Sequence, residues 1–142
     1  MKNTAILVDT NIVLDWIIKR QDFHQAATQV IGLCISGKIT GYLAAHSILN
    51  VFYITRKDFS TAQRQMLSKL LCNRFEIIGV NRDLIMEVLD SGSFKDIEDG
   101  LQIRCAEVEG LEYIVTRDTS GFKASTVPAI LPHMFLEITG VC

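Results

Sequence analysis

Near the start of the chain an unbroken apolar run, Ala5-Ile6-Leu7-Val8, leads directly into Asp9-Thr10-Asn11. A short run without polar alternation suits a strand buried on both faces, the condition of a parallel sheet covered by helices. The acid, hydroxyl and amide then fall at the strand's carboxyl end, the edge along which open α/β sheets collect their ligands. Whatever the chain folds into must bury residues 5–8 between two layers and present Asp9 at a sheet edge.

The remainder alternates in the same manner. A helix is expected over 12–19, with Val13, Trp16 and Ile17 at helical spacing and Trp16 packed into the core. A second helix over 24–36 repeats Ala27, Val30, Ile31 and Cys34, and Gly37 is placed to end it. A strand over 39–43 leads to a helix capped by His46 or Ser47 and carrying Ile48, Leu49, Phe52 and Tyr53. Ser60 or Thr61 starts another, with Met66, Leu67, Leu70 and Leu71 on one face. A third strand over 75–78 precedes a helix from the N-cap Asn81 through Leu89, followed by a Ser91-Gly92-Ser93 loop. Asp96 opens a helix through Val108 with Leu101, Cys105 and Val108 on its apolar stripe. A fourth strand over 113–115 ends in Thr116-Arg117-Asp118, and a short strand near 129–131 precedes a brief C-terminal helix. Strands alternating with helices imply right-handed crossovers. The expected fold is a three-layer α/β/α sandwich around a mainly parallel sheet of four to five strands, in one domain over residues 1–142.

Composition removes several function classes. At 142 residues, 49% hydrophobic and 21% charged, the chain can bury a full core and is not disordered. Charges interrupt every apolar stretch well before the length of a membrane span. Lys2 is followed by no long apolar segment and no cleavage-like stretch, so a cytoplasmic protein is expected. Cys34, Cys72, Cys105 and Cys142 form no C-x-x-C pair and stand far from His24, His46 and His133, so zinc spacing is absent. Cys34 and Cys105, within apolar helical patterns, read as buried reduced thiols. A net charge of −2 gives no global attraction to a polyanion, so nucleic acid would need a local basic patch. Arg56, Lys57, Arg64, Lys69 and Arg74 make the middle of the chain basic, while acids concentrate between Glu87 and Glu112.

Asp9 and Asp118 end two apolar strands in the same way, and parallel strands put both on one sheet edge. Asp96 and Asp99, three residues apart, share a helix face near its N-terminus, with Glu98 turned elsewhere toward water. Converging carboxylates repel, and a hard divalent cation such as Mg²⁺ or Mn²⁺ resolves the repulsion. Such a site suits phosphodiester hydrolysis. Each acid also has a plainer reading. Asp9 alone reads equally as an Asx-turn, Asp96 reads first as an N-cap, and Asp118-Thr119-Ser120-Gly121 is an ordinary turn sequence. Only the joint placement points to a site.

Four segments carry a resemblance: Val8-Asp9-Thr10-Asn11, His46-Ser47-Ile48-Leu49-Asn50, Asp96-Ile97-Glu98-Asp99-Gly100-Leu101-Gln102, and Val115-Thr116-Arg117-Asp118-Thr119-Ser120-Gly121-Phe122. In this order, over nearly the whole chain, they resemble the PIN-domain family, especially the VapC-type toxin ribonucleases. The resemblance implies a Mg²⁺- or Mn²⁺-dependent endoribonuclease acting on RNA, the toxin of a type II toxin–antitoxin pair, with an antitoxin protein as partner. It also implies a homodimer, for which the helix from Thr61 or the aromatic face of Phe52 and Tyr53 is a candidate surface. Asp9, Asp99 and Asp118 match the family's metal acids, and Asp96 an additional acid of some members. Thr10, Asn11 and Thr116 fit the positions that orient the carboxylates, and Ser47 supports the same site. The chain departs from the family at Asn50, where a glutamate is usual, and no acid lies between Ile39 and Lys57. An amide brings oxygen but no charge. Asn50 is therefore expected to touch water or the scissile phosphate. Gly121 departs too, since many members carry an acid there.

The alternative reading is a catalytically weakened PIN-fold module that binds RNA or protein. A haloacid-dehalogenase-like phosphatase is disfavoured, because Asn11 stands where its second carboxylate belongs. A receiver domain is disfavoured because its phosphorylated Asp follows a mid-chain strand rather than the first.

Overall fold

A computed structural model describes residues 3–94 and 96–140; Lys2 and Cys142 fall outside them. The five strands are β1 (Ala5–Val8), β2 (Thr40–Ala44), β3 (Glu76–Ile78), β4 (Tyr113–Val115) and β5 (Ala129–Ile130). They form one sheet in the order β3-β2-β1-β4-β5, and every pairing is parallel. Between and after the strands run α1 (Thr10–Ile17), α2 (His24–Ile35), α3 (Ala45–Ile54), α4 (Thr61–Arg74), α5 (Arg82–Ser91), α6 (Ile97–Val108) and α7 (Pro132–Thr139). Two 3₁₀ turns, Thr55–Lys57 and Thr119–Phe122, complete the described chain.

β1 lies at the centre, and its pleat divides the core. Ile6 and Val8 pack on one side against Ile12, Val30, Val51, Leu71 and Phe135, which belong to α1, α2, α3, α4 and α7. Leu7 faces the other side with Ala44, Ile103, Cys105, Ala106 and Ile114, under α5 and α6. Period-two alternation of an all-apolar strand thus makes the three-layer α/β/α sandwich. Strand order reverses at β1: β2 and β3 extend from one side of it, β4 and β5 from the other. The crevice at such a reversal is where open parallel sheets bind ligands.

Local chemistry sets several boundaries. Ser60 accepts from the Gln63 amide while Gln63 reaches back to the Ser60 N–H, a reciprocal cap that starts α4. Asn81 caps α5 by accepting from the Leu84 amide at 3.0 Å. Gly92, at φ 60°, ends that helix in the left-handed region, so Ser91 is its last residue rather than part of a loop.

Other boundaries differ from expectation. β2 turns straight into a helix at Ala45, with Ala44 at the cap position and no side-chain cap. His46 and Ser47 therefore sit inside the first turn of α3, because the Ser47 hydroxyl is used elsewhere. α1 begins at Thr10, and the chain leaves it through Lys19 and Asp22, both at positive φ (53° and 73°). The expected single face of α4 is split: Leu71 is buried whereas Met66 is 73% exposed. Trp16 is half-buried against the core. Cys34 and Cys105 are buried and unpaired, and burial pushes their thiols up to about 12 and about 11. Among the described residues no helix is long and apolar enough to cross a membrane.

Candidate active site

Asp9 directly follows β1 and is 7% exposed. Its Oδ2 accepts a hydrogen bond from the Thr116 hydroxyl at 2.9 Å, across the β1/β4 edge. Thr116 follows β4, and its oxygen accepts in turn from the Asp118 amide at 3.1 Å. One hydroxyl therefore aims Asp9 and fixes the backbone that carries Asp118. That is the orienting role expected of Thr116.

The side chains of Thr10 and Asn11 do something else. Thr10 Oγ1 and Ser47 Oγ share a hydrogen bond of 2.8 Å, and Gln102 Nε2 donates to both at 3.2 Å. All three residues are buried. This triangle ties α1, α3 and α6 together; the Thr10 hydroxyl is spent in it, while the Thr10 backbone amide donates to the Asp9 carboxylate. Asn11 accepts from Arg20 at 3.3 Å and reaches no carboxylate. Gln102 closes the Asp96–Gln102 segment without a role of its own in the sequence reading; the structure shows its amide wholly buried.

The first turn of α6 delivers the other acids. Asp96 caps the helix, its Oδ1 accepting from the Glu98 amide at 2.8 Å, and it is exposed. Asp99 extends toward the turn after β4: a Cβ placed on Gly121 would lie 2.8 Å from Asp99 Oδ2 and 3.4 Å from Asp118 Oδ2. The absence of a side chain at residue 121 thus lets these two carboxylates approach. Asp96, Asp99, Asp118, Ser120, Gly121 and Lys123 line a cavity of about 530 Å³, with Ser93, Phe94 and Ala124. Glu98 does not point to water as expected. Asn50 Nδ2 donates to Glu98 Oε2 at 3.1 Å, drawing Glu98 toward α3.

The electrostatics mark the cluster. Burial pushes the Asp9 carboxyl up to about 6, the Thr116 hydrogen bond opposes it, and the charge of Glu98 adds to it. Burial pushes Asp99 up to about 6 as well, assisted by the charges of Asp96, Asp9, Asp118 and Glu98. Four acids from three parts of the chain therefore act on one side chain. Burial also holds the His46 imidazole below its usual range, with Glu98 opposing. Among the described residues, no three His, Cys, Asp or Glu side chains stand as a ready-made metal cage.

These raised values have a consequence for stability. The unfolded chain releases these protons at its ordinary value near 3.8, whereas the folded protein retains them up to about 6. The stabilisation from protonating Asp9 and Asp99 is complete below the lower value and is lost as pH rises through the upper one. Metal-free protein is therefore expected to melt at a higher temperature near pH 5 than near pH 7. A melting temperature that stays level or rises from pH 5 to pH 7 would contradict the repulsive cluster.

The family model for the PIN domain matches residues 5–120. The chain belongs to the PIN domain family. Within it, the chain is 26% identical over 143 aligned positions to ribonuclease VapC1 of Aquifex aeolicus (strain VF5), covering 96% of each protein. Among solved structures, this PIN domain is similar to a toxin–antitoxin complex from Klebsiella pneumoniae, with a TM-score of 0.67, 20% identity and coverage of 89% of this chain and 97% of that one. It is also similar to VapBC2 from Rickettsia felis bound to a promoter DNA fragment, with a TM-score of 0.64, 20% identity and coverage of 90% and 98%. These likenesses establish a PIN-like fold, in agreement with the parallel five-stranded sheet described above.

Proposed function

We propose that this PIN domain is a Mg²⁺- or Mn²⁺-dependent endoribonuclease and the toxin of a type II toxin–antitoxin pair. The observation that carries the reading is the approach of the Asp99 and Asp118 carboxylates around Gly121, with Asp9 adding its charge to Asp99 from the reversal point of the sheet. Oxygen-only, anionic donors fit a hard divalent cation. Asp9, Asp99 and Asp118 would hold it through carboxylate oxygens, with Asp96 at the cavity rim. When bound, the ion supplies a Lewis acid that lowers the pKa of water and neutralises phosphate charge.

The chain's own groups do the rest. Thr116 keeps Asp9 directed at the site through its 2.9 Å hydrogen bond. Lys123, exposed on the cavity lining, supplies a cation to the phosphate backbone. Asn50 is bonded to Glu98, so its action on water or phosphate passes through that pair. The ribonuclease name of the Aquifex aeolicus relative, aligned over 96% of this chain, supports RNA as substrate.

The toxin–antitoxin complexes among the structural neighbours support an antitoxin partner. An apolar surface is available for it or for a second copy of the chain: Leu49 is 72%, Tyr53 62% and Met66 73% exposed. It borders a groove lined by Trp16, Ile17, Phe59, Met66, Leu67 and Leu70. Unpaired thiols at Cys34, Cys72 and Cys105 suit a reducing cytoplasm.

Purified protein incubated with single-stranded and structured RNAs is expected to cleave in Mg²⁺ or Mn²⁺ and to stop in chelator. Absence of cleavage, together with absence of Mn²⁺ binding, would return the chain to a binding module.

A further inference from the structure

We infer that Glu98 supplies the fourth negative charge of the cation pocket, delivered from α6 and held in place by Asn50 of α3. The inference rests on the nuclease reading and assigns to that site a residue outside the three acids above.

Position 50 is an amide, and no acid lies between Ile39 and Lys57, so α3 contributes no charge of its own. The structure brings one to it. Asn50 Nδ2 and Glu98 Oε2 are 3.1 Å apart, joining helices whose contact residues are 48 positions apart in sequence. The acids of α6 divide their tasks. Asp96 is engaged as the helix cap, and Asp99 leans toward Gly121. Glu98 alone turns toward α3, half-buried.

Two further observations separate this from a surface carboxylate that merely happens to touch an amide. Among the described residues no Lys or Arg pairs with Glu98, the ion pairs there being formed by Asp15, Glu87 and Glu107. A glutamate side chain is flexible and would otherwise turn out to water. Asn50 prevents that. The charge of Glu98 is also registered by Asp9, Asp99 and His46, which belong to three different elements. The two residues suit each other chemically. An amide N–H can hold a carboxylate, whereas a carboxylate at residue 50 would face Glu98 as a like charge.

Calorimetric titration of the metal-free full chain with MnCl₂ tests the assignment, with thermal melting as a check on folding. Glu98→Gln, which keeps shape and removes charge, is expected to weaken Mn²⁺ binding on the order of tenfold without unfolding the protein. The exchange Asn50→Glu with Glu98→Gln returns one charge to the opposite side of the contact and is expected to restore most of the affinity, which a purely structural role would not do. Mn²⁺ binding lost in Asp9→Asn but unchanged in Glu98→Gln overturns the assignment and leaves the nuclease reading intact. Absence of binding by the unaltered protein overturns both.

Discussion

Asp9→Asn is expected to lower RNA cleavage in Mg²⁺ or Mn²⁺ by about a thousandfold or more, since positioning a catalytic cation is worth several kcal/mol. The substitution changes almost nothing else. Asp9 is 7% exposed, and an asparagine of the same shape can keep the Thr116 hydrogen bond by presenting its oxygen. Initial rates on a defined RNA measure the effect, and undiminished cleavage would remove Asp9 from the mechanism. The same substitution has an opposite expected effect on stability. Burial pushes the Asp9 carboxyl up to about 6, so at neutral pH the folded protein carries a charge its surroundings disfavour. Metal-free Asp9→Asn should therefore melt higher than the unaltered protein near pH 7, a trade of stability for activity.

The largest stability loss is expected from Arg117→Met. Arg117 reaches back to α1, where Nε and one terminal nitrogen grip the two oxygens of Asp15 at 2.7 and 3.2 Å. The Asp15 side chain is 0% exposed, and its other cationic partner is Arg20 at 3.3 Å. Arg117 also stacks on Phe23, 4.0 Å from the ring centroid. Removing it strands a buried carboxylate, at a cost of about 3 kcal/mol or more. For a chain of this size that is a melting temperature lower by roughly 10 °C. The double substitution Asp15→Leu with Arg117→Met should recover much of the loss, because an apolar pair needs no counter-charge. A single variant that melts like the unaltered protein would show the pair to be dispensable.

Much of the architecture was legible because it rests on local rules. The apolar run at Ala5–Val8 specified a strand with two buried faces. Ser60, Asn81 and Asp96 each announced a helix start that the structure bears out. The placement of Asp9 and Asp118 after two neighbouring strands followed from parallel strands ending at a common edge. What stayed hidden depends on side chains meeting across the fold. Thr10, Ser47 and Gln102 form one buried triangle from three helices, and no spacing rule links residues 37 to 92 positions apart. Ser47 looked like a cap because serine usually is one near a helix start. Glu98 was assigned to water because helical periodicity places it off the Asp96–Asp99 face. That periodicity carries no information about an amide waiting on α3. Asp15 reads as an unremarkable charge in an amphipathic helix until Arg117 is seen to cover it.

The placement of β1 also governs when the protein can exist at all. β1 is synthesised ahead of the sheet's other four strands, yet it is completed on one side by β4, through Ile6 opposite Tyr113 and Val8 opposite Val115. Its other neighbour, β2, is available far earlier, as Ala5 opposite Thr40 shows. At about 5–20 residues per second, a growing chain spends several seconds with half of its central strand unpaired. Asp9 is synthesised 109 positions ahead of Asp118 and waits for it. On the nuclease reading, a growing polypeptide that has not reached Asp118 lacks a complete set of carboxylates and cannot cut RNA. On the same reading, termination ahead of residue 118 would release a fragment without that set.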